Sequence, residues 1–439
     1  MAMFQKVTLN NCHSGTTPYD SCVTSNPSTF GDNTKLPVHN WFRYLAGFSA
    51  VWAYNTMRQY KEIKRAEETT VFLDPFAGVG TSVLCGEAAG MDSFGIEAHP
   101  FVAKIASTKL LWDTDIELFY SFTRKVVEQS YDLHHSTYDG PEFIEKCYTK
   151  DSLTKLENLR LALESLNNDT PQYKLAWLAL VSILRETSFV GTSNIELIQP
   201  NKKKKKPKEP YEAFQYKVNT MISDMKLMKL FEKKPKGHII HGDSRTYSGI
   251  KDKTVDLIIT SPPYVNNFDY GDATRFEMTF MREVEGWKGL APMVRKDMII
   301  SCAQQVTKEN FNVESALKSL SKMEFYDEIS NTYENLQKVR TTHGGKKNYH
   351  LMVLGYFSDM IRVWKNLRRV TKDNSLVKFV IGDSAPYGVY LPVEEWLGKM
   401  AIESGFSTYD FVKLRDRNVK WKNRKHRVPL KEGILTVSD

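Results

Sequence analysis

The fold of this chain is decided by the stretch VFLDPFAGVGT, residues 71–81. Its first three residues form a short apolar run typical of a buried strand, and a helix is predicted from Thr81 to about Ala89. Between them lies a turn that carries Gly78 and Gly80. Glycine lets the backbone approach a ligand closely, and the first turn of a helix offers unpaired N–H groups. The stretch therefore predicts a strand, a ligand-binding turn and a helix.

An acidic residue follows this turn at an informative spacing. A second short strand is predicted over residues 93–96 and is followed at once by Glu97, nineteen residues after Gly78. A strand, a helix and a strand within about 30 residues form a βαβ unit with parallel strands. In such units an acid about 20 residues beyond the glycine turn meets ribose hydroxyls. Dinucleotide-binding enzymes use the same arrangement, so the unit alone predicts a ligand with a ribose and leaves its identity open.

Two later apolar runs, residues 238–240 and 255–260, predict further strands. The first run leads into Asp243 and Ser244. Because loops at the carboxyl ends of parallel strands line the ligand crevice, we expect Asp243 to accept a hydrogen bond from an adenine amino group. An ordinary aspartate in a turn is the alternative interpretation of this residue.

The second run leads directly into the loop Ser261-Pro262-Pro263-Tyr264. Successive prolines lack N–H donors and have a fixed φ, so this loop is rigid and offers a hydroxyl, a free carbonyl and an aromatic face. The exocyclic amine of a base is a poor nucleophile because its lone pair is delocalised into the ring. Two acceptors for its N–H groups and a stacked aromatic ring would favour attack by the nitrogen. The loop therefore predicts chemistry at the amino group of a base.

The segments LDPFAGVGT and TSPPY resemble the cofactor and catalytic motifs of the amino-directed DNA methyltransferases. The resemblance implies an α/β fold with a Rossmann-like seven-stranded methyltransferase sheet, S-adenosylmethionine as cofactor and double-stranded DNA as partner. It assigns catalysis to Ser261, Pro262, Pro263 and Tyr264. The stretch VHNWFRYLAGFS, which precedes the glycine turn, is similar to the N-terminal cofactor element of the family, with Phe48 as the contact. The cofactor-binding residues implied are Phe48, Asp74, Pro75, Phe76, Gly78, Gly80, Thr81, Glu97, Asp243 and Ser244.

Three regions are predicted along the chain. Residues 1–35 are rich in Ser, Thr and Asn and are interpreted as a polar N-terminal arm. Residues 36–110 and 238–439 form the predicted catalytic domain. Residues 111–237 place apolar side chains three and four positions apart, which predicts a large, mainly helical insertion. The bare fold does not need this insertion, so we expect it to handle DNA.

Composition and cysteine usage set broad bounds. The 439 residues carry a formal net charge of +8, an excess that permits a polyanionic partner without requiring one. The five scattered cysteines predict no disulfide framework, and no signal peptide or membrane-spanning run is recognisable, which favours a cytoplasmic protein. Cys12, His13 and Cys22 match no zinc pattern, so no metal is expected.

Two basic segments suit a DNA substrate. Lys202–Lys206 lie in the run NKKKKKPKEP, which is either a phosphate-contacting loop or a solvated linker. Residues 413–427 interleave Trp421 with lysines and arginines, including Arg415 and Arg417. A groove for the nucleic-acid backbone and a positively charged surface strand explain this second segment equally well.

The serine of the catalytic motif is similar to that of enzymes that form N4-methylcytosine. Methylation of a ring carbon needs a cysteine nucleophile, and Cys302, the only cysteine after the catalytic strand, does not follow a proline. The main prediction is therefore a site-specific N4-cytosine DNA methyltransferase of restriction-modification or host-protection type. It would flip its target nucleotide and have a cognate restriction endonuclease as a candidate partner. An adenine-N6 enzyme is the nearest alternative, followed by an RNA guanine-N2 methyltransferase and a catalytically silent nucleic-acid-binding subunit.

Overall fold

The computed structural model describes most of the chain. The described residues are 17–20, 27–44, 46–64, 69–133, 138–191, 199–201, 206–231, 235–266, 268–342, 348–417 and 428–439. The predictions made for Cys12, His13, Cys22, Trp421 and Lys202–Lys205 lie outside the described residues.

Helices and strands alternate along the described chain, with a long helical stretch between the second and third strands. In chain order they are α1 (Ala50–Lys64), β1 (Val71–Asp74), α2 (Thr81–Ala88), β2 (Asp92–Glu97), α3 (Pro100–Lys109), α4 (Ile116–Asp132), α5 (Glu142–Glu145), α6 (Lys150–Ser165), α7 (Pro171–Ile183), α8 (Pro210–Met228), β3 (His238–His241), β4 (Val255–Thr260), α9 (Arg275–Phe280), α10 (Gly286–Leu290), α11 (Val313–Leu320), α12 (Tyr326–Val339), α13 (Tyr349–Val370), β5 (Thr371–Gly382), α14 (Val393–Glu403), β6 (Thr408–Asp416) and β7 (Lys431–Ser438). The helices α4 to α8 lie within residues 111–237, the segment predicted to be a helical insertion.

The strands form a seven-stranded sheet in the order β3-β2-β1-β4-β5-β7-β6. Along this order, the strands β3, β2, β1, β4 and β5 pair in parallel, whereas β7 is antiparallel to both of its neighbours, β5 and β6. The predicted α/β class and Rossmann-like seven-stranded sheet are confirmed. Strand order reverses between β1 and β4, and in open parallel sheets ligands bind outside the carboxyl ends of the strands at this reversal. The glycine turn follows β1 and the proline loop follows β4, so both predicted motifs lie at that position.

Apolar cores cover both faces of the sheet and bury its central strands. On one face, α3 and the helical insertion pack together, with Phe101 and Trp177 edge to face and their ring centroids 5.2 Å apart. On the other face, Trp364 of α13 stacks on Phe379 of β5 at 4.7 Å. None of the described helices combines the length and the apolarity needed to cross a membrane.

The described part of the predicted N-terminal arm is packed against the domain. Tyr19 is 2% exposed and stacks on Tyr54 of α1, with ring centroids 4.8 Å apart. The buried amide of Asn33 donates to the Phe48 carbonyl and accepts from the Ala50 N–H, each at 2.9 Å. The described residues 17–20 and 27–35 of the predicted polar arm are therefore tied to the domain by specific contacts. A few aromatic and amide side chains hold this segment to α1, and its overall polar composition hid them.

Close packing of α2 on the sheet gives a stability prediction. A Cβ atom at Gly86 would stand 2.0 Å from Ser93 Oγ and 2.9 Å from Ser93 Cβ on β2. We expect Gly86→Ala to lower the free energy of unfolding by about 1–3 kcal/mol, the usual cost of overpacking, as measured by urea denaturation. Gly31→Ala is the matched control, since a Cβ there meets nothing within 4 Å. Equal stability of the two variants would contradict the tight α2–β2 contact.

Candidate active site

The carboxylate of Asp74, at the end of β1, joins the two motifs. Its Oδ1 accepts hydrogen bonds from the Phe76 N–H at 2.9 Å and from Thr260 Oγ1, the last residue of β4, at 2.5 Å. Its Oδ2 accepts from the hydroxyl of Ser82 on α2. Burial raises the pKa of Asp74 to about 6, against the opposing effect of these donors. In the structure, the predicted cofactor residue Asp74 joins the ends of β1 and β4 through hydrogen bonds. The sequence analysis did not predict its partners Thr260 and Ser82.

The glycine turn is shaped by left-handed backbone and by Glu97. Gly78 and Gly80 have φ values of +52° and +81°, a region that L side chains rarely adopt. The Glu97 carboxylate accepts from the N–H groups of Gly78 and His99, each at 2.8 Å, at the end of β2. Burial raises the pKa of Glu97 to about 7. The turn therefore places a carboxylate with remaining acceptor capacity beside the N-terminus of α2, which begins at Thr81.

Tyr44 and Phe48, which precede the glycine turn, have different neighbours. Tyr44 is buried, and its ring edge would be 3.9 Å from a Cβ atom at Gly78, the only such neighbour within 4 Å among the described residues. Phe48 is also buried and packs edge to face against Trp52 of α1, with centroids 5.7 Å apart. The cofactor role of Phe48 stays a prediction, while Tyr44 is a neighbour of the turn that sequence reasoning missed.

The loop after β3 carries Asp243 in an ion-pair chain. Its carboxylate accepts from Arg245 Nε at 2.9 Å, and Arg245 Nη1 reaches Asp359 of α13 at 2.9 Å. The hydroxyl of Ser244, which is buried, donates to the carbonyl of Pro75 in the glycine turn. Arg245 thus holds the predicted adenine acceptor in one orientation, and carboxylate oxygens retain lone pairs for a further donor.

The proline loop after β4 presents its polar groups in a fixed arrangement. The Ser261 hydroxyl donates to the carbonyl of Val380 on β5 at 3.1 Å. Pro262 is buried, and Pro263 and Tyr264 are partly exposed. Burial, and next the negative charge of Glu432, raise the pKa of Tyr264 well above its ordinary value, so the phenol stays protonated.

The loops after β1 to β4 form one connected edge. Backbone hydrogen bonds join Ala77 N–H to the Ile96 carbonyl at 2.9 Å and Gly242 N–H to the Glu97 carbonyl at 3.0 Å. With the Asp74–Thr260 contact, the structure brings the glycine turn, Glu97, the loop after β3 and the proline loop to the same edge of the sheet. An edge of this kind suits a nucleoside-bearing cofactor lying beside a planar substrate.

A cavity of about 480 Å³ is lined in part by Tyr44, the neighbour of Gly78. Ser182 of α7 and Lys217 of α8 contribute to its wall from the helical insertion, and Arg43 is exposed beside it. The insertion therefore helps to wall a cavity that shares Tyr44 with the glycine turn.

The chain is similar to known methyltransferases over most of its length. It is 25% identical to the type II methyltransferase M.BsoBI of Geobacillus stearothermophilus over 88% of this chain and 82% of that protein. It is 24% identical to the type II methyltransferase M.AvaI of Nostoc, over 86% of this chain and 81% of that protein. These relatives confirm the resemblance that the two motifs indicated.

Two further comparisons add little. The chain matches no protein-family model. An rRNA methyltransferase, aviRa from Streptomyces viridochromogenes, overlays on 89% of this chain and 85% of its own at 10% identity, with a TM-score of 0.27. That overlay is too loose to bear on function.

Titration of Glu97 predicts pH-dependent cofactor binding. Ribose hydroxyls donate best to the ionised carboxylate, whose pKa is raised to about 7. We therefore expect S-adenosylmethionine to bind about tenfold more tightly at pH 8 than at pH 6, because a ligand that prefers the ionised form releases the proton on binding. Calorimetry of the folded protein at both pH values measures this.

Glu97→Gln is the control for this titration. The variant should keep the size of the side chain and lose most of the pH dependence, leaving only the part due to Asp74, whose pKa is raised to about 6. The same tenfold change in Glu97→Gln would show that another group is responsible.

Proposed function

We propose that this chain, a relative of the type II methyltransferases, is a site-specific DNA methyltransferase that methylates the exocyclic N4 of cytosine. The contact between Asp74 and Thr260 supports this proposal most directly. It joins the last residues of β1 and β4, and therefore the loop suited to a cofactor and the loop suited to a base amine, through a buried 2.5 Å hydrogen bond. Both loops therefore start from residues that this bond holds together.

S-adenosylmethionine is the methyl donor of this chain, and the residues at the carboxyl ends of β1 and β2 suit it. The left-handed glycines leave the turn without side chains where a ligand would approach, and Glu97 offers acceptors for ribose hydroxyls at the end of β2. When bound, S-adenosylmethionine supplies an electrophilic methyl group. The chain's own contribution is to orient that ligand through Glu97, Asp243 and the N-terminus of α2.

The proline loop would hold the target amine. Because the Ser261 hydroxyl donates its hydrogen to the Val380 carbonyl, its oxygen lone pairs remain to accept an N–H of the base. The Pro262 carbonyl would accept the other N–H. With both hydrogens held by acceptors, the nitrogen becomes a better nucleophile, since its lone pair is less delocalised into the ring.

The same loop would bind a base removed from the duplex. The amino group of a paired cytosine is engaged in base pairing, so the nucleotide must be flipped out of the stack. Tyr264 would stack on the flipped base, a contact worth about 1–3 kcal/mol by comparison with other base–aromatic stacks. The thiol of Cys302 is buried and its pKa is raised to about 12, which speaks against a cysteine nucleophile for ring-carbon methylation.

The relatives support a proposal for the cellular role. As type II methyltransferases accompany restriction systems, we propose that this chain protects host DNA from a cognate endonuclease with the same site. The helical insertion would contact the DNA, and the cavity bordered by α7 and α8, with Arg43 exposed beside it, supports that placement.

Product analysis tests the chemistry. Digested DNA from cells expressing the protein should contain N4-methylcytosine by mass spectrometry, and N6-methyladenine in its place would overturn the cytosine assignment alone. Tyr264→Ala should lose most turnover and still bind S-adenosylmethionine, whereas Tyr264→Phe should keep much of its activity because stacking needs the ring. Full activity of Tyr264→Ala would refute the mechanism.

Salt dependence tests the lysine run. Replacing Lys202–Lys206 with serine should weaken binding to all DNA sequences alike and reduce the slope of log affinity against log salt by about 0.9 per lost phosphate contact. Serine at Lys251 and Lys253, which precede β4 and so lie at the opposite edge of the sheet, is the control. An unchanged slope in the Lys202–Lys206 variant would identify that run as a linker.

A further inference from the structure

The guanidinium of Arg417, just beyond the end of β6, lies over the ring of Tyr264. Its Cζ atom is 5.0 Å from the ring centroid, within the range of a cation–π interaction. The sequence placed Arg417 in a basic segment suited to a nucleic-acid backbone or to a positive surface. In the structure its side chain is only 15% exposed, so it is directed into the domain rather than toward solvent.

Three contacts hold Arg417 against this ring. Its Nε lies 3.6 Å from Oε2 of Glu432 on β7, and its Nη1 donates to the carbonyl of Asp383, which follows β5. Its backbone N–H donates to the Leu430 carbonyl at 2.8 Å. Glu432 is 4% exposed, so water and salt screen its charge little. The guanidinium is thus held by β7 and by the residue that follows β5.

Gly382, the last residue of β5, leaves the space that Arg417 occupies. A Cβ atom there would stand 2.8 Å from Arg417 Cδ and 2.9 Å from its Nη1. Both atoms belong to the distal part of a flexible side chain, so an alanine at this position would push the guanidinium aside more easily than it would shift the strand. The glycine therefore provides an independent way to displace Arg417 without removing its charge.

We propose that Arg417 is a positioning residue for Tyr264, an inference that rests on the proposed stacking role of that ring. Glu432 and the Asp383 carbonyl hold the guanidinium on one face of the ring, which fixes the ring and leaves its other face for the base. A ring ordered before binding loses less conformational entropy when the base arrives. Arg417 acts through Tyr264 and touches neither the base nor the methyl donor.

The kinetic test uses radiolabelled methyl transfer to unmethylated DNA. Arg417→Gln and Gly382→Ala should each lower kcat by about 3- to 30-fold, the range that a cation–π contact supports, with KM for S-adenosylmethionine unchanged. Arg417→Lys should recover part of the loss. The matched control is Arg368→Gln, since Arg368 lies 5.5 Å over Phe406 and pairs with Asp439 at 2.8 Å, in contacts that involve no residue of the proline loop.

A double-mutant cycle separates positioning from general stability. In a Tyr264→Ala background, Arg417→Gln should cost nothing further in single-turnover rate, because the residue through which it acts is gone. An equal loss in that background, or wild-type kcat in Arg417→Gln, would overturn the proposal while leaving the methyltransferase assignment intact. Failure of the wild-type protein to methylate any DNA would instead refute the proposed function.

A spectroscopic signature tests the ring directly and needs no turnover. In protein labelled with 3-fluorotyrosine, the ¹⁹F resonance of Tyr264 is assigned by its loss in Tyr264→Phe. It should shift or broaden in both Arg417→Gln and Gly382→Ala and stay unchanged in Arg368→Gln. An unmoved resonance in both of the first two variants would show that Arg417 does not hold the ring.

Discussion

The buried carboxylate of Asp74 is the constraint on which the rest of the site depends. It is 1% exposed, and a carboxylate so placed is costly unless donors surround it. Here donors come from its own loop, from α2 and from Thr260, which is 186 residues further along the chain. β1 and β4 pair in parallel, and the hydrogen bond to Thr260 extends their contact to the last residues of both strands. The position of the proline loop is thereby set by the same residue that begins the glycine turn.

Around this contact, a charged side chain links each of these loops to another part of the fold. Arg245 links the loop after β3 to Asp359 of α13, and Arg417 lies over Tyr264 in the loop after β4 and pairs with Glu432 of β7. Glu97 ties the glycine turn to the end of β2 through the Gly78 N–H. Such support holds polar groups in place before a ligand arrives, and preorganised groups stabilise a transition state without reorganising during the reaction.

The helices α4 to α8 pack directly against the rest of the catalytic domain. Trp177 of α7 packs against Phe101 of α3, and Lys217 of α8 donates to the carbonyls of Asn40 and Trp41, each at 3.3 Å. The segment before α1 is thus held between the insertion and the glycine turn. This arrangement explains how a region far from the motifs in sequence borders a cavity that shares Tyr44 with that turn.

The sequence by itself determined the local features: the buried strands, the glycine turn with Glu97, and the rigid proline loop. These are readable because a strand, a turn or a pair of prolines depends on neighbouring residues, and the predicted strand 255–260 matches β4 in both bounds. Parallel strands also place their carboxyl ends at one edge, so the convergence of the loops could be expected. Only the tertiary structure decided which side chains complete them. Three contacts show this: the hydrogen bond of Thr260 to Asp74, the closeness of Tyr44 to Gly78, and the contact of Arg417 with Tyr264. Each depends on strand order and on packing between distant segments, so no local sequence pattern could predict it.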